Sequence, residues 1–152
     1  MMLDEYYDFD ESEVRMSKEA LKDFFGKFNA EELALLNKMF GVDDSFVNGK
    51  EFGALNNGIK AKGGNGFTSA RTDVGSLDTI MSKLNYLNET ELKYLYSALK
   101  SADHDLGVVV AYFEFEGLQP DPKDQLLLEE ISQLKSAVHT SIYSRIAARR
   151  KI

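Results

Sequence analysis

Phe28-Asn29-Ala30-Glu31-Glu32-Leu33 and Leu87-Asn88-Glu89-Thr90-Glu91-Leu92 carry the reading of the fold. In each stretch an Asn stands three residues before a Glu. The Asn side chain accepts from the backbone N–H at the Glu position, and the Glu carboxylate accepts from the N–H at the Asn, so two donors left orphaned by a starting helix are satisfied together. The apolar residues on either side, Phe28 with Leu33 and Leu87 with Leu92, are spaced to close over the turn as a hydrophobic staple. Leu33, Leu36 and Phe40 then line one face of a helix over 30–40, widened by Leu35 and Met39. Leu92, Leu95, Tyr96 and Leu99 line one face of a helix over 89–101. Gly41 is expected just past the first of these, in the left-handed conformation that favours glycine.

Ser17 is placed to cap a helix over 17–28. Leu21, Phe24, Phe25 and Phe28 fall at i, i+3, i+4 and i+7 and make its apolar stripe. Gly26 inside that helix costs about 1 kcal/mol relative to alanine. Ser76 stands in the same relation to a helix over 77–85, with Leu77, Ile80, Met81 and Leu84 inward. The two regions align without a gap, Ser17 on Ser76 and Asn29 on Asn88. They read as two αα-hairpins, 17–41 and 76–101. Duplication is one explanation of the likeness; the restricted chemistry of helix starts is the other.

The longest helix is expected over 122–149. Leu127, Ile131, Leu134, Val138, Ile142 and Ile146 recur at helical spacing, acids crowd its start and bases its end, as the helix dipole favours. Its distal half exceeds what two short hairpins readily cover and suggests packing against a second copy. Residues 106–116 have two readings. Val108, Val109 and Val110 followed by Phe113-Glu114-Phe115-Glu116 alternate like a strand, and a buried helix competes. A strand there would need 45–52 as its partner, where Asn48-Gly49 has hairpin-turn chemistry. Pro120 and Pro122 force an extended break before the last helix. Residues 53–75, punctuated by glycines, read as an extended loop. The expected fold class is therefore mainly α, as one helical domain over 15–152 preceded by an acidic segment, 1–14. A minor β element at 45–52 and 107–116 is the open alternative.

The chain has 152 residues, 43% of them apolar, which suits a single domain with a sizeable core. No run of about 18 apolar residues occurs, so no membrane-spanning helix is expected. The acidic first thirty residues do not resemble a secretory signal. With no cysteine, disulfides, thiolate metal sites and cysteine nucleophiles are excluded, and a cytoplasmic setting fits.

The net charge of −7 is unevenly spread. Residues 1–14 sum to −6, 15–53 to −1, 54–72 to +3, 73–134 to −8 and 135–152 to +5. The acidic head interleaves Asp4, Glu5, Asp8 and Asp10 with Tyr6, Tyr7 and Phe9. Acidic–aromatic segments of this kind dock onto basic grooves or fold back onto their own core. The loop over 58–71 holds Lys60, Lys62, Phe67 and Arg71 among glycines that let backbone N–H groups approach an anion. With Arg145, Arg149 and Arg150 it would make a phosphate-contacting surface, Phe67 stacking on a base.

Chemistry has few places to reside. His139 has no acid within a turn of it. His104 lies in Asp103-His104-Asp105, where adjacent residues rarely converge on one ion. Calcium-loop patterns starting at Asp44 or Asp103 fail, the first at Phe46 and Leu55, the second at Val108 where glycine is needed. No nucleophile elbow, phosphate-binding loop, dinucleotide fingerprint or zinc-protease motif is present. The expectation is a non-enzymatic acidic helical protein without cofactor or metal, working by macromolecular binding. It would bind another protein through the acidic head, as an inhibitor, or assemble with itself through the C-terminal helix. Viral and mobile-element proteins offer an analogy in composition. Nucleic-acid binding through 58–71 and the basic C-terminus is the second reading, and an enzyme built on Asp103, His104 and Asp105 the third.

Overall fold

The computed structural model describes residues 16–41 and 74–150, and among these it contains five α-helices and one 3₁₀ turn. They run α1 (Lys18–Phe25), α2 (Ala30–Phe40), α3 (Val74–Ser82), the 3₁₀ turn (Leu84–Tyr86), α4 (Glu89–Phe115) and α5 (Pro122–Arg150). The mainly α class is the observed one, and no strand occurs among the described residues. The acidic segment 1–14, the 45–52 hairpin turn and nearly all of the 53–75 loop lie outside them. The loop does not reach 75, because α3 already begins at Val74.

Both capping boxes form. Asn29 Oδ1 accepts from the Glu32 N–H at 2.8 Å and Glu32 Oε1 from the Asn29 N–H at 2.8 Å. The Asn88 and Glu91 pair repeats this at 2.8 and 2.9 Å. Ser17 caps α1 by accepting from the Ala20 N–H. Its counterpart does not: Ser76 lies within α3, where its carbonyl accepts from the Thr79 hydroxyl. The helix expected over 77–85 starts three residues earlier and ends at Ser82, before the 3₁₀ turn. The first helix is also shorter than expected, since Gly26 ends it at Phe25 instead of sitting inside it. Gly41 ends α2 with φ −66°, not left-handed. Glycine is needed there for space, because a Cβ would stand 2.8 Å from the Asn37 carbonyl oxygen.

The strand reading of 107–116 is wrong, and so is the end of the fourth helix at 101. One helix of 27 residues runs through both. Leu106 and Val110 continue the buried seam of Leu92, Leu95, Leu99 and Ala102. The period was hidden because Val108, Tyr112 and Phe115 make a second apolar stripe on the opposite side. A helix apolar on two faces loses the contrast by which it is recognised.

Helix α4 ends in a Schellman motif at Gly117, φ +73°. The Leu118 N–H donates to the Phe113 carbonyl at 2.8 Å and the Gly117 N–H to that of Glu114 at 3.1 Å. Asp121 then starts α5: its Oδ1 accepts from the Lys123 N–H, and Pro122 takes the first helical position, where no N–H is needed. A Gly117→Ala substitution would meet nothing within 4 Å, so its cost is backbone strain alone. It is expected to lower stability by about 1 kcal/mol, read from urea unfolding midpoints. An unchanged midpoint would contradict the assigned turn.

Helices α4 and α5, about 40 Å long each at 1.5 Å per residue, form an antiparallel pair. Lys135 Nζ donates to Asp103 Oδ2 at 2.7 Å, and the His139 ring lies 5.6 Å from that of Tyr96, so numbers fall on one helix as they rise on the other. Buried side chains from all five helices join in one cluster. Val138 and Ile142 are part of it, so these two positions in the distal half of α5 pack within their own chain.

The two capping boxes brace each other. Lys27, just before the first box, donates to Glu91 Oε1 of the second at 2.6 Å. Lys83, before the second, donates to Glu32 Oε1 of the first. Both carboxylates are buried while both lysines stay about a third exposed, which keeps the cations hydrated.

Candidate functional site

The core cluster reaches only as far as Leu106 on α4 and Leu127 on α5. Among the described residues the hairpin projects beyond it, since α1, α2 and α3 are much shorter than the two helices of about 40 Å. The end of α4 there is apolar on the side turned away from α5. Val108 is 56% exposed, Tyr112 58% and Phe115 88%. They stand at i, i+4 and i+7, with the exposed Ala111 between them, so they form one continuous stripe about two turns long. Val109, Leu118 and Leu126 are also exposed near this end. An isolated exposed apolar residue is ordinary; a helical stripe of them has the form of half an interface.

Charge surrounds the stripe. Between positions 103 and 130 the sequence holds eight carboxylates against one lysine, Lys123. Asp103 is engaged by Lys135, whereas Glu114 and Glu116 are exposed beside the apolar residues. Where α2 approaches α5, burial pushes the Glu130 carboxyl upward, and the positive charge of Lys38 opposes that shift.

The residues expected to bind partners fall elsewhere. Asp4, Glu5, Tyr6, Tyr7, Asp8, Phe9 and Asp10 lie outside the described residues, as do Lys60, Lys62, Phe67 and Arg71. Arg145 is described and committed: its guanidinium donates to the carbonyls of Leu84 and Asn85, both at 3.3 Å, tying α5 to the 3₁₀ turn. Arg149 and Arg150 belong to the last turn of α5. Asp103, His104 and Asp105 are consecutive residues within α4, so their side chains diverge around the helix. Among the described residues no three His, Asp or Glu side chains gather as a metal site.

Two surface depressions carry polar side chains. An open groove of about 670 Å³ runs between the 3₁₀ turn and α5, floored by Ala137, Thr140, Ser141 and Ser144 and walled by Arg145. Its hydroxyls have no base beside them, and its one charged group is held by backbone carbonyls. A second depression of about 590 Å³ contains Lys27, Asn88 and Glu91. These are the groups of the capping box and its brace, already bonded to one another.

Sequence reasoning missed the α4 stripe. Its signal was present in the i, i+4, i+7 spacing of Val108, Tyr112 and Phe115, superposed on the spacing of Leu106, Val110 and Phe113. Compared with known proteins, the chain matches no family model, and no curated protein or solved structure is significantly similar to it.

Proposed function

We propose that this chain is a non-enzymatic protein-binding module whose contact surface is the uncovered face of α4 at the end of the long hairpin. The observation that carries the reading is the exposed stripe of Val108, Tyr112 and Phe115 on a helix whose other face is already buried. Helix pairs in water bury apolar stripes of this spacing against a further helix, groove or sheet. The burial of Val138 and Ile142 favours this end of the hairpin over the C-terminal half of α5 as the contact region. The commitment of Arg145 to backbone carbonyls weighs against the phosphate-contacting surface.

Two exposed tyrosines give the test, since Tyr86 is 79% exposed at the opposite end of α4, about 40 Å from Tyr112. A photo-crosslinking amino acid placed at 112 is expected to give a discrete protein adduct in cells expressing the chain. The same group at 86 is expected not to give that adduct. No adduct from 112, or the same adducts from both positions, would count against the assignment.

A further inference from the structure

We infer that the occupant of the α4 stripe is a cationic amphipathic helix of a partner protein, one presenting apolar side chains at helical spacing flanked by Lys or Arg. The inference rests on the protein-binding reading above and adds the chemistry of the partner. Shape sets the first requirement. Val108, Ala111, Tyr112 and Phe115 occupy an arc of about 100° over two turns. A helix laid along that arc meets it with its own i, i+3, i+4 and i+7 positions.

Charge sets the second requirement. Glu114 and Glu116 are exposed on either side of the stripe, and residues 103–130 together carry −7. Any occupant must bring its apolar atoms into this field. A second copy, placed tip to tip, would set −7 against −7. A bilayer with anionic headgroups is repelled in the same way. A helix bearing Lys or Arg beside its apolar face is attracted, gains association rate at low salt, and pairs its rim with the two glutamates. Tyr112 adds an aromatic platform on which a guanidinium or ammonium can rest.

The probes are two synthetic helical peptides of about 18 residues, or five turns, with identical leucines at i, i+3, i+4 and i+7. One carries Lys at every flanking position and its twin carries Glu. Fluorescence anisotropy with the full chain is expected to show the Lys peptide binding about tenfold or more tightly than its twin at low salt, with the preference shrinking as salt is added. The Val108→Ser/Tyr112→Ser/Phe115→Ser variant changes exposed positions only, and an unchanged thermal unfolding curve checks its fold. It is expected to lose about tenfold or more of the affinity. Glu114→Gln/Glu116→Gln should reduce the preference for Lys over Glu while binding persists.

Equal affinity for the two peptides, or unchanged binding by the triple Ser variant, overturns the proposal. So does stripe-dependent dimerisation in sedimentation, which would assign the face to a second copy, or stripe-dependent binding to phosphatidylcholine vesicles, which would assign it to a membrane. Failure here alongside a discrete adduct from position 112 removes the cationic partner and leaves the protein-binding reading intact; loss of both removes that reading as well.

Discussion

Truncation of Phe24 to alanine is expected to cost about 3–5 kcal/mol of folding free energy. Phe24 has no exposed surface, and its ring lies 5.1 Å from Phe25, 5.4 Å from Phe28 and 5.6 Å from Tyr94. The last two contacts are edge to face, the geometry that aromatic quadrupoles favour. The ring therefore joins α1, the turn into α2, and α4, and no single neighbour can close the space it leaves. A cost of this size is a large share of the roughly 5–15 kcal/mol that holds a domain folded. In urea it moves the unfolding midpoint down by about 2 M for a slope near 2 kcal/mol/M. Phe115→Ala is the matched control. That ring is 88% exposed, and its removal is expected to change stability by less than about 0.5 kcal/mol. Equal losses at both positions would mean that Phe24 is not where the structure puts it.

Glu32→Ala is expected to cost about 2–3 kcal/mol. The carboxylate is buried and accepts from the Asn29 N–H and from Lys83. Its loss strands a backbone donor at the start of α2 and releases the brace to the other capping box. The cost stays below the extreme for a broken buried pair because Lys83 is about a third exposed and regains water.

The same site gives a pH signature. Burial pushes the Glu32 carboxyl upward, but the hydrogen bond and charge of Lys83 and the Asn29 N–H together outweigh it, so its pKa lies below the ordinary 4.5. A carboxylate depressed by folding contributes stability that is fully present above pH 4.5. That contribution is lost as pH falls through the folded-state pKa. Glu130, raised by burial, acts in the opposite sense: its contribution declines as pH rises above 4.5. Comparing the parent with Glu32→Gln isolates the first group, since Glu130 is common to both. The stability difference is expected to be constant above pH 4.5 and to narrow on acidification. A difference independent of pH through the acid range would show that the Glu32 charge contributes nothing to the brace.

Much of this architecture could be read from residues close together in the chain. The boxes at Asn29-x-x-Glu32 and Asn88-x-x-Glu91 announce helix starts because their hydrogen bonds span three residues. The last helix was legible from the break at Pro120 and Pro122 before it, from the acids at its start and bases at its end, and from the spacing of Leu127 through Ile146. What failed were the ends and the two-faced segment. Gly26 and Gly117 look alike in sequence terms, yet one closes a helix in right-handed geometry and the other at φ +73°. Ser76 matches Ser17 by alignment but is drawn into α3. Val108 to Phe115 read equally as strand or buried helix because both sides of the helix are apolar.

Neighbouring residues are enough to specify that amphipathic helices build this protein, and where two of them begin. Propensity, capping and apolar period act within a turn or two, and those distances are covered by neighbouring residues. Which stripes are used up depends on contacts between residues far apart in the chain. Residues 64 and 51 positions apart, Lys27 with Glu91 and Lys83 with Glu32, meet across the boxes. Val138 and Ile142 are closed over by their own chain, while Val108, Tyr112 and Phe115 are left uncovered. Burial is a property of what packs against a face, and helices of eight to eleven residues cannot flank a hairpin of 27 and 29 to its end.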